Sequence, residues 1–225
     1  VAERLVLAAR AAGLPARVYR LGEVMPAADN GVPNTKALTH LLLVAFRELG
    51  VRPSVPMLSD YSPVDEVAAV LVAALTDAPP PSRGAPALHV FRRGTVDFAA
   101  LPVLNGEPAR SVPPGEFLAA LDEAADEVAR LAEEDAGDPG HGDGGDARPP
   151  LSLLHGVLAA RRCLAGEDPR DEPTEERGRW LLRGLLVDNP ALFDSRTATD
   201  LAARHGLTQQ PLDEVTEAYV KTLHS

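Results

Sequence analysis

The sequence predicts an α/β fold in which helices far outnumber strands. Three observations carry this. Ala16-Arg17-Val18-Tyr19-Arg20 is a short run with β-branched and aromatic residues that leads through Leu21-Gly22-Glu23-Val24 into a loop punctuated by Pro26, Asn30-Gly31 and Pro33. That is the pattern of a strand's carboxyl end, where open α/β sheets bind ligands. Ala87 to Phe91 (ALHVF) is a second such run, and most of the remaining chain spaces its apolar residues as helices do.

The elements follow in order. Residues 1–12 read as the carboxyl half of a helix with a stripe at Leu5, Leu7, Ala8 and Ala12, closed by Gly13. No Ser, Thr, Asp or Asn precedes the stripe as an N-cap, so an upstream segment is expected. After the strand at 16–20 the chain is loop from Gly22 to Pro33. Thr35 to Leu49 is a helix with an apolar face at Leu38, Leu41, Leu42, Ala45 and Leu49, and Gly50 ends it. Val51 to Met57 is a proline-broken connector. Asp65 caps a helix over 66–76 that is apolar nearly all round and is therefore expected to be buried. Residues 77–84 (DAPPPSRG) form a surface loop. Pro113-Pro114-Gly115 starts a helix over 116–134, with Phe117, Leu118, Leu121, Val128 and Leu131 on one face and acids on the other. Residues 135–150 (DAGDPGHGDGGDARPP) lack any large apolar side chain and read as a disordered linker. Four more helices are expected at 151–164, 175–186, 197–205 and 212–223.

Composition narrows the function. A net charge of −11 speaks against a nucleic-acid surface, and no run of lysine and arginine suits anionic lipid. The apolar runs at 41–46 and 67–75 are too short to span a bilayer, and Glu3, Arg4 and Arg10 do not suit a signal peptide. With a single cysteine, Cys163, an internal disulfide is impossible, which fits a reducing, cytoplasmic setting. The run Asp138, His141, Asp143, Asp146 has acidic and imidazole ligands but sits among glycines with nothing to hold them, so a solvated linker is the better reading than a metal site. His89, His155 and His205 are scattered. A Gly-x-Ser-x-Gly elbow, a phosphate loop and a CxxC pair are all absent.

Four stretches together resemble a known family, the extended short-chain dehydrogenase/reductases. More narrowly they resemble the thioester reductase domains that end nonribosomal peptide synthetases, some polyketide synthases and carboxylic acid reductases. Val1-Ala2-Glu3 matches the end of the segment following that family's catalytic Tyr-x-x-x-Lys, which would put the lysine two residues before Val1. Tyr19, Arg20, Gly22, Val24, Gly31 and Asn34 match the next segment in register, while Leu21, Pro26, Ala28 and Asn30 depart from it. Asp60-x-x-Pro63-Val64-Asp65 matches the entry to a late helix, and 193–223 the closing helices.

The resemblance implies the carboxyl-terminal part of a Rossmann-type extended reductase. Residues 1–110 would be the remainder of the NAD(P)-binding domain with its substrate loop. Residues 111–134 would begin a helical substrate domain, completed after the linker at 135–150 by a lid over 151–225. Arg20, Leu21, Gly22, Glu23 and Val24 would line the nicotinamide end of NADPH, which is otherwise bound upstream of Val1. No catalytic residue and no metal ligand is expected in this chain. Asn34 would either orient substrate polar groups or cap the helix at Thr35. The implied partners are a phosphopantetheinylated acyl or peptidyl carrier protein and the upstream Rossmann half, with no nucleic acid and no membrane. Arg92-Arg93, Arg161-Arg162 and Arg177, Arg179, Arg183 are candidate carrier-docking patches or plain solvated faces. The product would be an aldehyde or alcohol. The alternatives are another extended reductase or epimerase, acting on a fatty acyl-CoA or a nucleotide sugar, and a non-catalytic carrier-docking module. Two strands without the rest of a sheet leave apolar faces open, so the chain alone is expected to fold marginally.

Overall fold

The computed structural model describes residues 2–76, 87–92, 94–136, 150–164, 175–183 and 196–223. The helices are α1 (Ala2–Ala11), α2 (Leu38–Leu49), α3 (Val64–Thr76), α4 (Pro114–Ala136), α5 (Pro150–Leu164), α6 (Glu175–Arg183), α7 (Arg196–Arg204) and α8 (Leu212–Leu223). The strands are β1 (Tyr19–Leu21), β2 (Val24–Met25), β3 (Val51–Pro53), β4 (Leu58–Ser59), β5 (Ser62–Pro63), β6 (Leu88–Val90), β7 (Val96–Asp97) and β8 (Arg110–Val112). A 3₁₀ turn spans Phe98–Ala100.

The α/β class is as expected, and β1 and β6 are the two strands read from the sequence. The others, no longer than β1 and β6, lie in stretches whose residues give no strand pattern of their own. Thus the expected loop at 22–33 contains β2, and the expected connector at 51–57 contains β3. Most of the linker expected at 135–150, and the loop at 77–84, lie outside the described residues.

The chain forms two compact units. The first comprises Val1–Val32, Ser59–Val96 and Asn189–Thr222. Its strands pair in parallel: Tyr19 with Leu88, Arg20 with His89 and Leu21 with Val90, then Val24 with Ser62 and Met25 with Pro63. α3 and α7 pack on these pairs. Val67, Val70, Ala73 and Ala74 from α3 meet Val90 from β6 and Ala198, Leu201 and Ala202 from α7, with Tyr19, Val24 and Leu88 alongside. α3 is only half buried: Val72 and Leu75 are 59% and 68% exposed. The all-round apolar sequence therefore differs from the outcome, because one face finds the cluster and the other finds no partner among the described residues. α1 ends where Gly13, at φ 103°, allows the Leu14 amide to donate to Ala9 O, as its sequence predicts. Its stripe is not a core face, since no residue of α1 is buried.

α8 is anchored by aromatic and backbone contacts within the same unit. Tyr61 and Tyr219 meet edge to face at 6.5 Å, and the Tyr61 hydroxyl donates to Val215 O at 3.3 Å. Thr222 Oγ1 donates to Gly31 O. Gly31 sits at φ 65°, and a Cβ there would lie 2.6 Å from Ala218 O, so the position demands glycine twice over.

The second unit comprises Pro33–Leu58, Asp97–Asp188 and Leu223–Ser225. β3 pairs in parallel with β8, Val51 opposite Arg110 and Pro53 opposite Val112. α2 packs on α5, and α4 packs on both α5 and α6. Phe46 and Phe117 meet edge to face at 5.5 Å beside the fully buried Leu42, Leu43, Leu121, Leu154 and Leu182. Asp97 accepts from the Ala99 and Met57 amides and so caps the 3₁₀ turn.

Candidate functional site

The sequence-predicted loop lies at the carboxyl end of β1, in the first unit. Arg20 lies on the open face of the β1–β6 pair, where its guanidinium meets Glu3 at 2.5 Å and His89 Nε2 at 3.2 Å. Exposed ion pairs of this kind contribute little to stability, so their role is to tie α1 to β1. Leu21 is 42% exposed at the strand's last position. Gly22 then donates its amide to Val90 O at 3.4 Å, which extends the ladder by one bond. Val24 turns inward and packs on the α3–α7 cluster.

A buried polar floor lies against this loop. Asp60 and Ser62, only 2% and 3% exposed, flank Tyr61 at the start of β5. Asp60 Oδ1 accepts from the Glu23 amide at 3.3 Å, and Asp60 Oδ2 accepts from Ser62 Oγ at 3.2 Å. The Ser62 amide in turn donates to Glu23 O at 3.2 Å, and Ser62 Oγ accepts from the Arg92 amide at 3.2 Å. A Cβ on Gly22 would overlap the Asp60 carboxylate and come within 2.6 Å of Phe91. Glycine is therefore required at 22 because the space is already filled. Burial pushes the Asp60 carboxyl above its ordinary value, against the opposing pull of the Glu23 amide and the Ser62 hydroxyl.

The floor continues into an ion pair. Arg92 Nη1 lies 3.1 Å from Glu66 Oε1, with both side chains largely buried. Burial raises the Glu66 carboxyl, while the Arg92 guanidinium and the Gln210 amide act in the opposite sense. Arg92 is thus no part of a carrier-docking patch: its charge is spent inside the unit, and Arg179 on α6 is paired with Glu175 at 3.0 Å. The side chains of Arg93, Arg161, Arg162, Arg177 and Arg183 lie outside the described residues. So do those of the run at 138–146.

A cleft of about 330 Å³, counted out to its open mouth, lies between α3, β6 and α7. Val67, Val70, Val90 and Ala202 form its apolar wall, and Ser62, Glu66, Arg92, Thr199 and Gln209 its polar lining. The Arg92–Glu66 ion pair lies in its polar lining.

Asp65 departs from its expected role. It lies within the first turn of α3 rather than before it, and its carboxylate accepts from the Ala28 amide at 3.0 Å. It pins the far end of the loop instead of capping its own helix. Asn34 is in the second unit, exposed, and accepts from the Lys36 amide at 3.1 Å in a local turn. α2 begins at Leu38, and its N-cap position, Ala37, has no side-chain bond. Among the described residues no cluster of His, Cys, Asp and Glu could hold a metal, and no helix is long and apolar enough to cross a membrane.

Sequence reasoning quoted Asp60 as part of a motif without giving it a task, and it passed over Ser62, Glu66 and the burial of Arg92. A carboxylate two residues before a serine, in an apolar context that leads into a helix, was the available signal for a buried acceptor.

Residues 1–71 match the model of an NAD-binding family described as Male sterility protein. Across its length the chain is similar in fold to the terminal R domain from the myxalamid PKS-NRPS biosynthetic pathway. There the TM-score is 0.60 at 21% identity, covering 99% of this chain and 46% of that one. It is also similar to a thiolation-reductase di-domain from an archaeal non-ribosomal peptide synthetase, with TM-score 0.51 at 14% identity, covering 99% and 39%. The chain therefore spans less than half the length of either solved structure. No curated protein matches it by sequence.

Proposed function

We propose that this chain is the carboxyl-terminal half of an NADPH-dependent thioester reductase that releases a carrier-bound acyl or peptidyl chain as an aldehyde or alcohol. One observation carries the reading: a match to an NAD-binding family over the first 71 residues coincides with the fold of synthetase reductase domains over nearly the whole chain. The acyl or peptidyl carrier protein follows as the partner, and the cytoplasm as the setting.

The residues present fit a nicotinamide cofactor bound mainly by groups upstream of Val1. Gly22 and Glu23 are held by the buried floor yet stay partly exposed, and neighbouring Leu21 offers an apolar side chain. NADPH supplies the hydride that reduces the thioester carbonyl. Leu21 and the backbone of Gly22 and Glu23 would border the ring, while Arg20, engaged with Glu3 and His89, and Val24, packed on the α3–α7 cluster, would fix the loop from either side. The proton donor is supplied from elsewhere. Tyr61 and Tyr219 are buried, and burial pushes both hydroxyls above the ordinary tyrosine value, which suits packing rather than acid catalysis.

The test uses the gene product that carries this chain together with whatever its reading frame encodes upstream. Its NADPH consumption is followed with an acyl-carrier thioester, an acyl-CoA and a nucleotide sugar. Turnover with the carrier thioester and release of an aldehyde is the expected result. Turnover with acyl-CoA alone would assign it to the acyl-CoA reductases, and carrier binding without NADPH binding would leave only the docking module.

A further inference from the structure

We infer that Asp60 is a positioning residue for the nicotinamide end of the cofactor, acting through the backbone of Gly22 and Glu23. The inference rests on the reading above, in which that backbone borders the ring.

The geometry is specific to this carboxylate. It pulls on the loop through the Glu23 amide at 3.3 Å and props it by filling the space where residue 22 would carry a Cβ. A loop pulled and propped by one group has little freedom to move toward the floor or away from it. The carboxylate is itself held in place by Ser62 Oγ, which the Arg92 amide holds in turn. Ser62 grips Glu23 a second time through its own amide. Asp60 is only 2% exposed, so its action is exerted through the backbone it holds. A buried carboxylate at this position, with its cost of desolvation, is not needed to close the unit, because apolar residues fill the neighbouring α3–α7 cluster. Its use is the precise height of two backbone units.

The experiment compares two ligands in the full gene product. NADPH carries the ring, whereas 2′,5′-ADP carries only the adenine half and should not sense the loop at 22–23. In Asp60→Asn, NADPH affinity is expected to fall about tenfold, the equivalent of one charge-assisted hydrogen bond, while 2′,5′-ADP affinity stays unchanged. Ser62→Ala is expected to act in the same direction by a smaller factor, and it decides the question if Asp60→Asn does not fold. Equal NADPH affinity in the folded variants, or an equal loss for both ligands, overturns the positioning role. If the unaltered protein binds no NADPH, the functional reading fails instead, and the two failures are distinguishable.

Discussion

Two carboxyls in the first unit are held above their ordinary range by burial. Asp60 starts from a reference of 3.8 and Glu66 from 4.5. The folded state therefore holds their protons more tightly than the unfolded chain does. Their contribution to stability is complete below those reference values and is lost as pH rises through the folded-state values. His40 runs the other way. Burial, and then the Arg47 guanidinium, lower it from 6.5, so its contribution is complete above that pH and is lost as pH falls. Urea titrations of the parent and of Asp60→Asn between about pH 4 and pH 7 should separate the two trends. The parent is expected to lose more stability than the asparagine variant as pH rises, and parallel curves would contradict the buried-charge account. The Arg92–Glu66 pair belongs to the same balance. The attraction offsets the cost of two desolvated charges, so the pair adds specificity of packing more than net stability.

At the scale of elements, burial differs sharply between helices of similar length. α2 buries eight consecutive residues from Thr39 to Phe46, whereas α1 buries none and is tied down by Arg20 and Glu3. Hydrogen exchange should report this directly. Amides of α1 are expected to exchange about a hundredfold or more faster than those at the centre of α2, since an exposed helix opens locally without disturbing a core. Equal protection would mean that α1 is covered. The contrast also measures what the sequence could reveal. The helices were legible because periodicity over ten or more residues and glycine stops are local signals, as at Gly13 and Gly50. Their burial was not, because Leu5 and Leu7 look the same whether or not a partner packs on them. β2, β3 and β5 were invisible for a related reason: each is defined by a pairing partner more than thirty residues away, not by its own composition. Arg92 read as a surface cation because its partner, Glu66, is in another element.

For the molecule as a whole, the candidate loop at 20–24 stood out through a strand end, a glycine and the register of the resemblance, but its buried floor did not. That floor joins residues from β5 and from the segment after β6, which only the fold brings together. Among the described residues each sheet has only two strands, and α3 leaves Val72 and Leu75 exposed. The 225-residue chain on its own is therefore expected to self-associate, seen as early elution in size-exclusion chromatography and dye binding to apolar surface. A sharp cooperative melt of a monomer would contradict this. The interleaving of the two units has a consequence for biosynthesis. The first unit needs α7 and α8 to cover α3 and Tyr61, and these helices follow α3 only after a long stretch of chain. Its core cannot close while the ribosome is still translating the segment between α3 and α7, so α3 must wait, apolar and uncovered, through the synthesis of more than a hundred further residues. Chaperone demand should accordingly rise when translation is slowed between the codons for α3 and α7, and a graft that exchanges one unit for a relative's must be cut in several places rather than one.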